Sequence, residues 1–388
     1  MRTSDCIKQT IGYLMIMCFC SCKDIYDPHI ETTTTGLLVV EGFINSGQGP
    51  TTIRLSRSSG LEDVALRPEL GAQVDVEGED GKDFPLVENR NGEYSDAQLT
   101  LNNGVQYRLR ITTTDGKQYA SEYTPVKYTP LIDSITWQRE NDGLRLYTNG
   151  RDPQNDAKYY QWKYEETWEF HSAYHTTLKY VIDPVTTNPI GVAYRYPDMT
   201  SDTTIYKCWN TLVSSTILLG TTENLVSNVV FLPIQYIEPN SEKLSVLYSI
   251  NLRQYAISKE NYLFLQKMKK NTEQLGTIFD PQPSEISGNI HCLTNSGEIA
   301  IGFIEVIQEQ VKRIFISNSQ VPDWNYNPGC TFVEITDDPL SIQQYGIGLI
   351  PTIYAKVPLF GPKTFYASTP SCVDCTLRGV HQKPDFWP

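Results

Sequence analysis

The stretch Val105–Tyr123 (VQYRLRITTTDGKQYASEY) decides the fold class. Val105, Tyr107, Leu109 and Ile111 alternate with polar neighbours, and Tyr119, Ser121 and Tyr123 continue the alternation after Asp115-Gly116. Side chains of an extended chain point to opposite faces in turn, so this pattern buries one face and wets the other. An Asp-Gly pair between two such runs is a hairpin signal, because the tight turn needs backbone that glycine adopts freely.

Working outward, the same period recurs. A first strand starts at Leu37 (LLVVEGFI), Ile53 and Leu55 alternate with polar neighbours, and so do Val74 and Val76. Asp80-Gly81 and Asn91-Gly92 mark further turns. Residues 36–128 therefore predict an N-terminal immunoglobulin-like or transthyretin-like β-sandwich. Pro125 and Pro130 bracket the boundary, and residues 129–388 predict a larger β-rich domain. Within it, Ile135–Trp137 and Leu144–Tyr147 flank the turn Asn141-Asp142-Gly143. Residues 159–170 (YYQWKYEETWEF) place Tyr160, Trp162, Tyr164, Trp168 and Phe170 on one face. Glu166 falls in the same series. Either a β-bulge shifts the register there, which is the preferred expectation, or Glu166 enters an aromatic face and needs a partner. One helix is expected near 258–276. Ser258 caps it, Gly276 closes it, and Tyr262, Leu265 and Met268 fall on one face.

The amino end carries a different signal. Arg2 and Lys8 precede an apolar run, residues 11–20 (IGYLMIMCFC), and small Ser21 precedes Cys22. This predicts a signal peptide over residues 1–21, too short to span a bilayer. Phe19-Cys20-Ser21-Cys22 fits a lipoprotein-processing site, with Cys22 as the lipidated residue. Its thiol would take a diacylglycerol and its freed amine another acyl chain. Each buried methylene adds roughly 0.8 kcal/mol, so several chains anchor durably. Residues 22–35 then predict a lipidated tether. The 45 Asp and Glu against 32 Lys and Arg give a net charge of −13, which argues against nucleic acid and against a polybasic membrane contact. Beyond the anchor lie Cys208, Cys292, Cys330, Cys372 and Cys375. An oxidising compartment favours disulfides among them. The expected arrangement ties the carboxy-terminal pair Cys372 and Cys375 to the body through Cys330 or Cys292. The alternative is a local Cys372–Cys375 bond.

Candidate chemistry is sparse. Glu165, Glu166, Glu169, His171 and His175 lie close together, but the histidines lack the glutamate order of a zinc-protease helix. Asp152–Asp156 (DPQND) lacks the central glycine and distal glutamate of a calcium loop. No nucleophile elbow, phosphate-cradling loop or dinucleotide fingerprint is present. Neither catalytic residue, metal site nor cofactor is predicted.

Short pieces spread over the chain resemble the domain-of-unknown-function family 4249 (DUF4249) of lipoproteins from Bacteroidota. They include Val39-Val40-Glu41-Gly42, Leu55-Ser56-Arg57-Ser58, Asp115-Gly116-Lys117-Gln118-Tyr119, Glu166-Thr167-Trp168-Glu169-Phe170, Gly288-Asn289-Ile290 and the tail Pro384-Asp385-Phe386-Trp387. The resemblance implies an outer-membrane lipoprotein encoded beside a TonB-dependent transporter. The expected function is non-enzymatic: an accessory that binds a small nutrient, glycan or peptide for that transporter. A surface hydrolase and an adhesive or structural protein are the alternatives. Lys23-Asp24 is similar to the charged signals that send such lipoproteins to the cell surface.

Overall fold

A computed structural model describes residues 36–59, 67–273 and 288–388. Cys22, the expected signal peptide and tether, and Gly276 lie outside the described residues. The chain is mainly β, as its alternation predicts. In the N-terminal part, Leu38–Asn45 pairs antiparallel with Thr51–Arg57. The hydrogen-bonded path then runs through Glu93–Asp96, Asp83–Glu88, Gln73–Gly78 and Tyr107–Thr112 to Gln118–Ser121. Ile111 sits opposite Tyr119 across the Asp115-Gly116 turn. The sheet curls into a half-barrel around the alternating apolar residues, among them Leu38, Ile53, Val74, Leu109 and Tyr119.

The expected boundary at 128 does not contain this sheet. Ile290–Cys292 pairs with Gln118–Ser121, while Ala300–Ile301 and Val306–Ile307 pair in parallel with Leu38–Asn45. A bridge between His291 and Ile299 joins these late strands across the seam. Two- and three-residue strands are too short to display a period, and the pairing spans most of the chain. A glycine lets the backbones meet. A Cβ on Gly302, at φ +151°, would lie 2.3 Å from the Val40 carbonyl oxygen. Asn289 ties the seam with its side chain, donating to the Ile304 carbonyl at 2.8 Å and accepting from the Ile304 amide at 2.9 Å.

The middle of the chain forms a sandwich. One sheet contains Ile132–Glu140, Gly143–Arg151 and Val229–Ile237. The other contains Lys207–Val213, Tyr159–His171, Leu247–Ile257 and Gln310–Ser317. Tyr160, Trp162, Tyr164, Trp168 and Phe170 fill the space between them. The expected bulge at Glu166 is absent. Pairing with Leu247–Ile257 runs unshifted from Tyr159 opposite Ile257 to Glu169 opposite Leu247. Glu166 instead points inward, 3% exposed, and accepts from Lys243 Nζ at 2.7 Å, Gln235 Nε2 at 2.9 Å and Tyr248 OH at 2.7 Å. A buried carboxylate is tolerated when a cation and hydrogen bonds meet it, and these lie on distant segments.

A smaller unit packs Leu178–Ile182 and Pro189–Tyr194 near Phe332–Thr336, Thr364–Ser368 and Ile350–Lys356. Cys330 bonds Cys372 there, one of the two anticipated pairings. Cys375 bonds Cys208, which the expected arrangement did not use. Cys208 lies opposite Phe170 at the end of the central sheet, a position set by strand pairing and not by sequence spacing. Cys292, the other anticipated partner, is a buried free thiol inside the half-barrel. Non-reducing peptide mapping of the oxidised protein should yield the 208–375 and 330–372 pairs, with Cys292 alkylated only after unfolding. Removing the 208–375 bond, which closes 167 residues, should cost about 2–5 kcal/mol in denaturant unfolding.

Candidate functional site

The carboxylates and histidines that cluster in sequence meet only in part: Glu169, His171 and His175 are neighbours, while Glu165 and Glu166 are engaged elsewhere. Glu165 meets Arg313 at 3.4 Å, and Glu166 is spent on Lys243. Glu169 accepts from His171 at 3.2 Å, Lys207 at 2.9 Å and Trp387 at 3.0 Å. Burial pushes its pKa up, but those hydrogen bonds from His171, Lys207 and Trp387, with the Lys207 charge, outweigh burial and hold it at about 2. His171 and His175 both pack on the Tyr206 ring. Among the described residues no group of three or more His, Cys, Asp or Glu is arranged to hold a metal. Asp152 closes a turn, accepting from the amides of Gln154 and Ala157.

A cleft forms elsewhere, where three elements meet. Odd-numbered residues of Tyr159–His171 face away from the sandwich core, which places Gln161 and Lys163 on the outer side of the central sheet. The helix Lys259–Glu273 packs on that side, with Tyr262 and Leu265 against Tyr159, Tyr255 and Ile257. The half-barrel seam supplies the third wall through Gly42, Phe43, Gly302, Phe303 and Glu305. Together they enclose about 150 Å³, with Phe264, Met268 and Phe303 as the apolar lining. A larger open depression of about 910 Å³ lies over Arg54, Glu88 and Glu93. Three of its charges are engaged: Arg54 pairs with Glu93 at 3.4 Å, and Glu88 accepts the Gly71 amide at 2.9 Å.

Three charged residues line the cleft: Glu41 and Lys163, both exposed, and Glu305. Glu305 is 2% exposed. It accepts from the Ser258 amide at 3.0 Å and from Asn261 Nδ2 at 2.7 Å. Ser258 is the N-cap, since its hydroxyl accepts the Asn261 amide at 3.0 Å. In a capping box the N-cap amide is met by a Glu or Gln of the same helix. Asn261 occupies that place here, and Glu305 reaches across from the seam to do the work. No Lys, Arg or His among the described residues pairs with it. Burial raises its pKa, with the Asn261 and Ser258 hydrogen bonds and the Lys127 charge opposing. Lys163 is its counterpart on the sheet wall. It makes no hydrogen bond or ion pair with any described residue. The walls around its ammonium withdraw water and lower its pKa; Arg253 and Arg54 add to this, while Glu41 and Glu309 oppose it. Arg253 is itself engaged by Glu309 at 3.0 Å.

Neither group was singled out from the sequence. Lys163 sits between Trp162 and Tyr164 as an ordinary wet position of a strand. The available signal was Ile304-Glu305-Val306, an acid within an apolar run.

A carboxyl with a raised folded-state pKa favours folding in its protonated form, and that contribution is lost as pH rises through the folded value. The unfolding free energy of the native chain minus that of E305Q should therefore fall between pH 4 and pH 8. Urea titrations of both proteins at the two pH values measure it. A difference that rises with pH would mean that the carboxylate is compensated as an ion.

The DUF4249 family model, a domain of unknown function, matches residues 23–313. No curated protein matches the chain. Among solved structures, the chain is similar at 12% identity to trypsin-activated alpha-2-macroglobulin from Escherichia coli, over 58% of this chain and 15% of that one, with a TM-score of 0.17. It is similar at 7% identity to the B domain of a biofilm-associated protein, over 74% of this chain and 88% of that domain, with a TM-score of 0.16. The chain thus spans a small fraction of the macroglobulin, and neither overlap carries an argument about fold or activity. The half-barrel, its late seam strands, the long central strand and the capped helix all fall inside the matched stretch, and the chain belongs to the DUF4249 family.

Proposed function

We propose that this protein is a lipid-anchored outer-membrane protein, displayed at the cell surface, that binds a small ligand as the accessory of a TonB-dependent transporter. The observation that carries the binding role is the cleft, where Glu305 and Lys163 each lack a counter-ion beside an apolar lining. Folded proteins ordinarily pair a charge drawn away from water, so a buried Glu305 with no cation, facing the space that exposed Lys163 also lines, favours a ligand site. The anchor rests on the run before Ser21-Cys22 and on the polar tether after it. That tether, residues 22–35, reaches at most about 50 Å when extended, which would hold the half-barrel close to the bilayer. Hydrolysis of glycan or peptide is the competing role. It would draw on carboxylates free to exchange protons in one cleft, whereas Glu165, Glu166 and Glu169 are each ion-paired on the central sheet.

Two measurements test the proposal. C22A should lose acyl labelling and leave the membrane fraction. A native pull-down of the intact lipoprotein from mildly solubilised outer membranes should recover one TonB-dependent transporter in near-equal amount. Recovery of the lipoprotein alone would count against the accessory role.

A further inference from the structure

The geometry points to a small zwitterion as the ligand of this cleft: a free α-amino acid with an apolar side chain, its carboxylate on Lys163 and its ammonium on Glu305. This rests on the reading of the cleft as a ligand site and narrows it to one chemical class. Glu305 and Lys163 lie on different walls, carry opposite signs when both are ionised, and do not pair with each other; Glu41, exposed in the same lining, does not pair with Lys163 either. A monoanion would compensate only Lys163 and a monocation only Glu305. A neutral sugar would compensate neither while removing more water from both, which costs free energy. A molecule with both charges satisfies both walls at once.

The helix cap does not account for Glu305. Capping requires an acceptor for the Ser258 amide, and a neutral side chain supplies one. A carboxylate, with two oxygens and about four acceptor positions, keeps capacity beyond the Ser258 and Asn261 donors. Lys127, which lines a neighbouring cavity with Glu305, acts on it only from beyond ion-pair distance. Lys163 has no structural task in the described residues, and its cross-strand neighbour is Arg253, a like charge.

Size and lining narrow the ligand further. About 150 Å³ suits a benzene-sized group, well below the roughly 300–1,000 Å³ of sites for larger ligands. One amino acid fits such a space, and an oligosaccharide or a peptide of several residues does not. Phe264 and Phe303 stand 5.7 Å apart, ring to ring, beside Met268. Aromatic rings and a flexible thioether accept an aliphatic or aromatic side chain without demanding one shape.

Calorimetric titration of the intact lipoprotein in mild detergent tests this with L-leucine and L-methionine as probes. Isoamylamine keeps the ammonium and 4-methylpentanoate keeps the carboxylate, and each should bind about tenfold or more weaker than leucine. K163M and E305Q should each weaken leucine binding by a similar factor, and M268W, which fills the cleft, should abolish it. K163M changes an exposed residue, so it stays informative if E305Q folds poorly. Leucine binding that survives M268W, or equal binding of leucine and either one-charge analogue, overturns the proposal. A sugar or monoanion that binds and is blocked by M268W overturns the zwitterion while keeping the cleft as a ligand site. Silence from every probe, with the transporter still recovered in the pull-down, overturns the amino-acid assignment and leaves the accessory role standing.

Discussion

The alternation of side chains along Tyr159–His171 fixes what meets on each side of the central sheet. Even-numbered residues enter the sandwich core, and a one-residue slip would send Trp162 and Phe170 into the wet side. The same constraint sends Gln161 and Lys163 outward, to where the helix and the half-barrel seam converge. Core and cleft are thus two outcomes of one register. The unshifted pairing with Leu247–Ile257 holds both, and it is why Glu166 must be accommodated inside.

Three acids drawn out of water show three ways of handling the cost. Glu166 is met by a lysine and two neutral donors. Glu169 is met by Lys207, by the His171 ring and by the indole of Trp387, which pins that tail residue to the central sheet. Glu305 has only neutral donors and the positive end of a helix. Folded proteins seldom leave a buried charge in that condition without a further partner, and the contrast within one molecule singles Glu305 out.

Much of the fold was legible in local sequence. The Asp115-Gly116 hairpin, the turns at Asp80-Gly81 and Asn91-Gly92, and the cap at Ser258 depend on neighbours a few residues apart, and each formed where the residues place it. What was not legible depends on partners far along the chain. The seam strands at 290–307 are too short to show a period. The lysine that admits Glu166 to the core is 77 residues away. Cys208 meets Cys375 across 167 residues. The cleft belongs to the second group, because its two charged walls come from segments that look ordinary one at a time.

The late seam has a consequence in time. Synthesis runs from the amino end at about 5–20 residues per second. Leu38–Asn45 emerges early, but its parallel neighbour at Ala300–Ile301 follows roughly 10–50 s later. Throughout that interval one side of the first strand is an unpaired edge, open to any extended chain nearby. An extended chain that pairs with that edge before residues 300–307 arrive would occupy the place of the native seam.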